Sequence, residues 1–414
     1  MFQSEQLEKK WAPILEAADA PAFADPQRKA VTAVLLENQE KALKESRAQS
    51  NYLVEATETD NVASSIDTWD PVLISLVRRS MPSLVSYDVA GVQPMTGPTG
   101  LIFAMKARYQ TSASLDTTND TPTPTDEVTD GDEALFNTIH QEYSGPQTTA
   151  VGETSAGTIS REMGFTVEKL QVLAKTRALK AEYTMELAQD LKAVHGRDAE
   201  AELANILSTE ILAEINREVI DAINTVATPG ATLNSPGVFD LHADTDGRWA
   251  VERYKALLFQ LEIEANEIAK GTRRGKGNFV LCSSNVASAL AAAGVLDYAP
   301  QLSTNLNVDD TGQTFAGLIN GRLKVFVDPF ATSDYATVGY KGSNAYDAGI
   351  FYCPYVPLTM MRATGENDFQ PKIGFKTRYG LVANPLAEAS GALTADTNPY
   401  FRTFTVDGIL GAGA

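Results

Sequence analysis

The stretch Tyr87–Gly100, YDVAGVQPMTGPTG, runs directly into Leu101–Tyr109, LIFAMKARY. Two prolines, Pro94 and Pro98, and three glycines, Gly91, Gly97 and Gly100, stand among small polar residues ahead of an apolar run. Proline restricts φ and glycine admits positive φ, so the composition predicts a stiff, ordered bend that delivers a strand over about residues 101–109. No candidate catalytic residue accompanies the bend. Its purpose has to be architectural.

The surrounding chain sets bounds on that purpose. Its 414 residues suffice for two or three domains and a substantial core, and 43% hydrophobic with 21% charged residues is an ordinary globular balance. No run of about eighteen apolar residues predicts a membrane span. The start, MFQSEQLEKK, lacks the apolar stretch of a secretory signal, so the expectation is a chain made in the cytoplasm. Cys282 and Cys353 make neither a disulfide framework nor a zinc pattern, and read as small packed hydrophobes. A net charge of −19 argues against a general nucleic-acid-binding surface, which needs clustered Lys and Arg.

Outward from the bend, residues 1 to about 50 predict two helices. Leu7, Trp11, Ile14 and Leu15 share a face of the first; the second opens at Asp25-Pro26 and carries Val31, Val34 and Leu35. Both stripes are narrow, which predicts a pair that docks on something else. Residues 56–70 are polar and read as an extended arm, and PVLISLVRRSMP (71–82) as a short helix stopped by Pro82. From Tyr109 to Ser160 there is no Lys or Arg but nine acidic residues, without calcium-loop spacing, so this reads as a solvated excursion.

Residues 163–183 fit strand or helix. The clearest helix runs from Asp198 to the stop at Thr228-Pro229-Gly230, with a stripe of Leu203, Ile206, Leu207, Ile211, Ile215, Val219, Ile223 and Val226. At 1.5 Å per residue it is a rod on the order of 40 Å long. A second helix carries Tyr254, Leu257, Leu258, Leu261, Ala265 and Ile268 and ends at Gly271; the strand NFVLC and a Ser-capped, Ala-rich helix follow. Strands are also expected at RLKVFVD, YATVGY, AGIFYCPYV and KIGFKTRYGL. The plan is α+β, without the alternation of a doubly wound sheet.

Chemistry is sparse. His140, His195 and His242 form no metal-ligand pattern, and His195 before Gly196 suits a helix C-terminus. The loop GTRRGKG (271–277) is too short between glycines for a phosphate cradle and reads as a basic loop meeting an acidic neighbour. Glu262 and Glu264 are two residues apart on a helix and read as a solvated face. The tripeptide Leu53-Val54-Glu55 before Ala56 marks a joint accessible to a protease. The residues point to no enzyme, no cofactor and no metal.

VRRSMPSLVSYDVAGVQPMTGPTGLIFAMKARY (77–109) closely resembles the signature of the major capsid proteins of T-even-type tailed phages. In the same order, ALKAEYTMELAQDLKAVHGRDAEAELANILSTEILAEINREVI, GRWAVERYKALLFQLEIEANEIAKGTRRGKGNFVLCSSNV, TVGYKGSNAYDAGIFYCPYVPLT and FQPKIGFKTRYGLVANPLAE look like later parts of that family, and WAPILEA and LENQEKAL have counterparts in its leader. The resemblance implies the α+β Hong Kong-phage-type capsid fold. Its parts here would be a cleavable helical leader (1–55), an N-terminal arm (56–86), an extended-loop region (87–165) and a peripheral domain with the spine helix (166–245). A mainly axial domain (246–370) and a C-terminal return to the peripheral domain (371–414) would complete it.

The resemblance also implies a prohead protease that cuts after Leu or Ile, any residue, then Glu, and Leu53, Glu55 and Ala56 match that pattern. Gly91, Pro94, Gly97, Pro98 and Gly100 would form the root of the extended loop, so Gly97→Val is expected to impair assembly. The implied partners are copies of the chain in hexameric capsomers, the prohead protease, scaffold and core proteins, portal and vertex proteins, decoration proteins and a chaperonin. The shell, icosahedral or prolate, would enclose double-stranded DNA without reading its sequence. The excursion from Gln110 to Ser160 is shorter than the inserted domain of the best-known members. Alternatives are a pentamer-forming vertex paralogue, a nanocompartment shell and, from another class, a cytosolic enzyme.

Overall fold

The structure, a computed structural model, describes residues 2–16, 26–51, 84–109, 163–196, 198–231, 236–242, 245, 249–294, 296–298, 314–344, 346–365, 370–387 and 391–409. The expected helix at Pro71–Pro82, the joint at Leu53, Glu55 and Ala56, and the acidic excursion with His140 lie outside them.

Two helices, α1 (Phe2–Leu15) and α2 (Pro26–Asn51), open the chain, with Pro26 at the first helical position. Their narrow stripes are buried against the rest of the molecule: Trp11, Leu15, Val31, Leu35 and Leu36 share one core with Leu84, Tyr87, Val92 and residues of a long helix and a sheet. The expected docking is therefore intramolecular. A short helix α3 (Ser86–Val89) leads into β1 (Gly91–Val92) and then β2 (Thr99–Tyr109). The segment that fitted either type is two strands, β3 (Met163–Leu173) and β4 (Lys175–Glu182).

Helix α4 (Met185–His195) is capped by Thr184, whose hydroxyl accepts from the Leu187 amide, and stops at Gly196 with φ 64°; Lys192 and His195 occupy its last turn, where cations favour the dipole. Helix α5 (Ala199–Val226) begins at Asp198, whose carboxylate accepts from the Glu200 amide. The expected stripe is buried from Leu207 to Val226, but Ile206 is 62% exposed. Leu212, Asn216 and Ile220 widen the buried face instead.

After β5 (Ala227–Pro229) and β6 (Val238–Asp240) comes helix α6 (Ala250–Thr272), then β7 (Phe279–Ser283) and α7 (Ser284–Ala292), the latter capped by the Ser283 hydroxyl. Strands β8 (Leu296–Tyr298), β9 (Thr314–Ile319), β10 (Leu323–Asp328), β11 (Tyr335–Gly339), β12 (Ile350–Thr364), β13 (Pro371–Ala383) and β14 (Asn398–Asp407) complete the described elements.

The strands form a four-stranded sheet, order β1-β12-β13-β4, an eight-stranded sheet, order β5-β14-β11-β7-β10-β9-β8 with β6 on β14, and a two-stranded ribbon, β2-β3. The last two strands divide between the sheets: β13 pairs with β12 and β4, whereas β14 pairs with β11, β5 and β6. β12 belongs to the four-stranded sheet, whereas β7 to β11, which precede it, belong to the eight-stranded one. Strand partners are chosen by long-range pairing, which local sequence does not specify.

Glu262 and Glu264 are not on a solvated face. Glu264 is 2% exposed; it accepts from the Ala231 amide and Gln260 and pairs with Arg402 Nε at 2.5 Å. Glu262 pairs with Lys276 and, at 3.1 Å, with Arg322. The helix turns both carboxylates toward basic groups brought by later strands and loops, which satisfies charges that would otherwise be costly to bury.

Candidate assembly surface

The opening stretch makes its bend in two steps. β1 pairs in parallel with Phe351 and Tyr352 of β12 at the edge of the four-stranded sheet, and the pairing continues as the Gln93 amide donates to Tyr352 O (3.0 Å) and the Met95 amide to Pro354 O (2.9 Å). The chain then turns at Thr96–Pro98, and Pro98 O accepts from the Ala174 amide at 2.9 Å, tying the start of β2 to the end of β3. β2 and β3 pair antiparallel without interruption from Thr99↔Leu173 to Tyr109↔Met163. Because β1 precedes the ribbon and β4 follows it, both roots are anchored in the same sheet.

The glycines do not act as expected. None of Gly91, Gly97 and Gly100 is in the left-handed region. A Cβ on Gly97 would meet only Thr99 O at 3.7 Å, so the structure gives Gly97→Val no steric or conformational reason to disturb the bend. At Gly100 a Cβ would lie 3.0 Å from Met95 Sδ, and there small size matters. The bend is held mainly by its hydrogen bonds to β12 and β3.

The faces of the ribbon differ sharply. Ile102, Ala104, Leu170 and Val172 are buried, and Ile102, Leu170 and Val172 pack with Met95, Phe351 and Cys353. On the opposite face Leu101, Phe103, Met105, Phe165, Val167 and Leu173 are 59–77% exposed. Met105 pairs directly with Val167, and Phe103 sits one step along, so these side chains make an apolar stripe that is unbroken along β2, while on β3 exposed Lys169 and Gln171 stand opposite Phe103 and Leu101. Sequence reading missed the stripe. Its signal is that LIFAM is apolar at successive positions, and a ribbon with two apolar faces needs a second partner. On the covered side, toward the ribbon's outer part, Glu168 pairs with Lys106 and Arg108, both at 2.9 Å.

The remaining candidate chemistry resolves into structure. Cys282 and Cys353 are buried and free, and burial pushes each thiol up to about 12. In the GTRRGKG loop, a Cβ on Gly277 would lie 2.8 Å from Val338 Cγ1, and one on Gly275 would run into the Tyr340 ring. Those glycines therefore permit close packing, while Lys276 and Arg274 pair with Glu262 and Asp347. His242 Nδ1 meets the Arg253 guanidinium, and His195 is exposed at the end of α4. No cluster of three or more metal-ligating side chains occurs among the described residues.

Comparison with known proteins gives the stripe its context. The family model for "Major capsid protein Gp23" matches residues 66–406. The major capsid protein of Salmonella phage ViI is 40% identical over 96% of this chain and 97% of its own length, and that of Enterobacteria phage T4 36% identical over 98% and 99%. The capsid vertex protein of phage T4 is 30% identical over 60% of this chain and 58% of its own length. A long helix, an extended two-stranded ribbon and two sheets make this an α+β chain, and the proteins it matches are structural proteins of the virion shell. This chain belongs to the family of the major capsid protein Gp23.

Proposed function

We propose that copies of this chain assemble into hexameric capsomers and then into the closed head shell, icosahedral or prolate, that surrounds packaged double-stranded DNA. The carrying observation is the exposed apolar stripe on one face of an anchored ribbon. Burying six large apolar side chains contributes on the order of 10 kcal/mol before association costs, enough to matter when every copy repeats the contact. The stripe's partner is a neighbouring copy, over which the ribbon lies as the extended loop rooted at Gly91, Pro94, Gly97, Pro98 and Gly100. Residues 56–86 serve as the arm. A remainder of −17 once residues 1–55 are gone supports a wall to which DNA does not adhere.

Phe103→Asp combined with Phe165→Asp tests this reading. The variant is expected to keep native circular dichroism, because both side chains are exposed, yet to form no shells or tubes by negative-stain microscopy. Normal particles would refute the assignment.

Maturation in this reading cuts the chain between Glu55 and Ala56, after Leu53-Val54-Glu55, by a prohead protease. Glu55→Gln is expected to arrest particles with the leader attached, as read by intact mass; mature virions that retain residues 1–55 would overturn it. Scaffold and core proteins, portal and vertex proteins, decoration proteins and a chaperonin are the partners such assembly calls for. A pentameric vertex role is the second reading, supported by the T4 vertex protein. Identities of 36–40% to major capsid proteins over nearly the whole chain favour the hexameric one.

A further inference from the structure

The leader holds the ribbon root. The Asn38 side-chain amide on α2 donates to Met95 O at 2.8 Å and to Tyr355 O at 2.9 Å, bridging the last residue before the bend to β12. Arg28 pairs with Asp88 at 2.6 Å, and its guanidinium stacks over the Tyr87 ring, 5.5 Å from the centroid. Behind these contacts Trp11, Leu15, Val31, Leu35 and Leu36 share a core with Leu84, Tyr87 and Val92, with Leu207–Ile215 of α5, and with Tyr352, Leu358, Ile373 and Phe375. One helix thus fastens three things together: the segment entering the ribbon, the spine helix and the four-stranded sheet.

The same interface carries features that a permanent core avoids. Thr32, Asn38 and Gln39 are buried in it, and the Gln39 side-chain amide makes no hydrogen bond among the described residues. A buried unpaired amide costs about 1–3 kcal/mol. While the leader is covalently attached it docks without losing translational freedom; once cut, it has to hold by affinity alone.

We propose that the leader is a tethered clasp: it locks the ribbon root to the spine helix and sheet in the uncut chain, and its departure after cleavage releases residues 84–95. This deepens the maturation reading and rests on it for its biological trigger. The clasp itself is a property of α2 and the surface beneath it.

The test uses the full chain with a site-specific protease sequence inserted after Glu55 and cut after purification, so it does not depend on the phage's own protease. After cutting, residues 1–55 are expected to separate on gel filtration. Hydrogen exchange at the Gln93 and Met95 amides is then expected to rise roughly tenfold or more. In the uncut chain Asn38→Ala is expected to raise the same exchange roughly fivefold, and Gln27→Ala, on the exposed side of α2, to leave it unchanged. A leader that stays bound after cutting, one that leaves without altering exchange, or an Asn38→Ala variant indistinguishable from Gln27→Ala would each overturn the clasp. Virions retaining residues 1–55 would instead defeat the maturation reading while leaving these measurements intact.

Discussion

At single positions, small size matters more here than positive φ. Gly380 in β13 faces the base of β3: a Cβ there would lie 2.6 Å from Val172 Cγ1 and 3.0 Å from Leu173 O, a backbone atom that cannot step aside. Gly391, at φ 64°, admits Leu170 in the same region. Ribbon and sheet can approach closely only because these side chains are absent. Gly380→Ala is therefore expected to destabilise the chain by about 1–3 kcal/mol through overpacking. Chemical denaturation measures the loss; an unchanged midpoint would mean that β3 does not rest on β13 this closely. The buried Glu264–Arg402 pair shows the complementary case, in which a charge is admitted only because its partner, 138 residues away, is positioned to meet it.

Among elements, the pairing of α1 with α2 depends on charge as well as apolar contact. Lys10 reaches across to Glu37 (2.7 Å) and Glu40 (2.6 Å), and Glu40 also binds Lys44. Partial burial works to raise the Glu40 carboxyl, yet the hydrogen bonds from Lys10 and Lys44 hold it below its ordinary 4.5. Hydrogen bonds to Glu37 and Glu40 raise Lys10 above 10.5. For the depressed carboxyl, the stabilisation is present above 4.5 and is lost as pH falls through the folded value. For the raised ammonium, it is complete below 10.5 and is lost as pH rises through the folded value. The α1–α2 contact is thus expected to be tightest between these limits. Trp11, 2% exposed, reports it: with Trp69 and Trp249 replaced by Phe, emission is expected to shift to the red below about pH 4.5 and above about pH 10.5. A flat profile down to pH 3 would show that the ion pairs contribute nothing.

In the whole molecule, α5 runs through two cores, to both of which residues 84–89 and β12 also contribute. Its first half contributes Leu207, Ile211, Leu212 and Ile215 to the core beneath α1 and α2, and its second half Val219, Ile223 and Val226 to the core on the eight-stranded sheet with Phe279, Phe326, Tyr400 and Phe401. The Asn216 side chain, between the halves, accepts from the Val85 amide just before α3. Arg177 of β4 ties the same helix to the four-stranded sheet through Glu214 and Glu218. A rigid rod shared by two cores makes their stabilities one quantity. Ile211→Ala and Val226→Ala, each costing about 2–5 kcal/mol, are expected to lower the unfolding midpoint of both cores together, in one transition seen alike by near- and far-UV circular dichroism. Two separated transitions would show that the rod does not couple them.

Local signals settled what is locally encoded. Asp198, Gly196 and Ser283 mark helix ends because caps and i→i+4 hydrogen bonds are made within a few residues, and the long apolar period of α5 followed from them. The motif from Val77 to Tyr109 likewise carried the family resemblance, because it is read as an order of residues along the chain and needs no distant partner. What lay beyond local reach was everything set by a distant partner. Asn38 finds Tyr355 across 317 residues, β14 inserts beside β11 and not beside β13, Glu264 is buried by Arg402, and one face of LIFAM is covered while the other is left bare. Strand pairing and burial are decided by which surfaces arrive together once the chain has folded, and alternation along a strand does not say which of two apolar faces will find its cover within the same molecule.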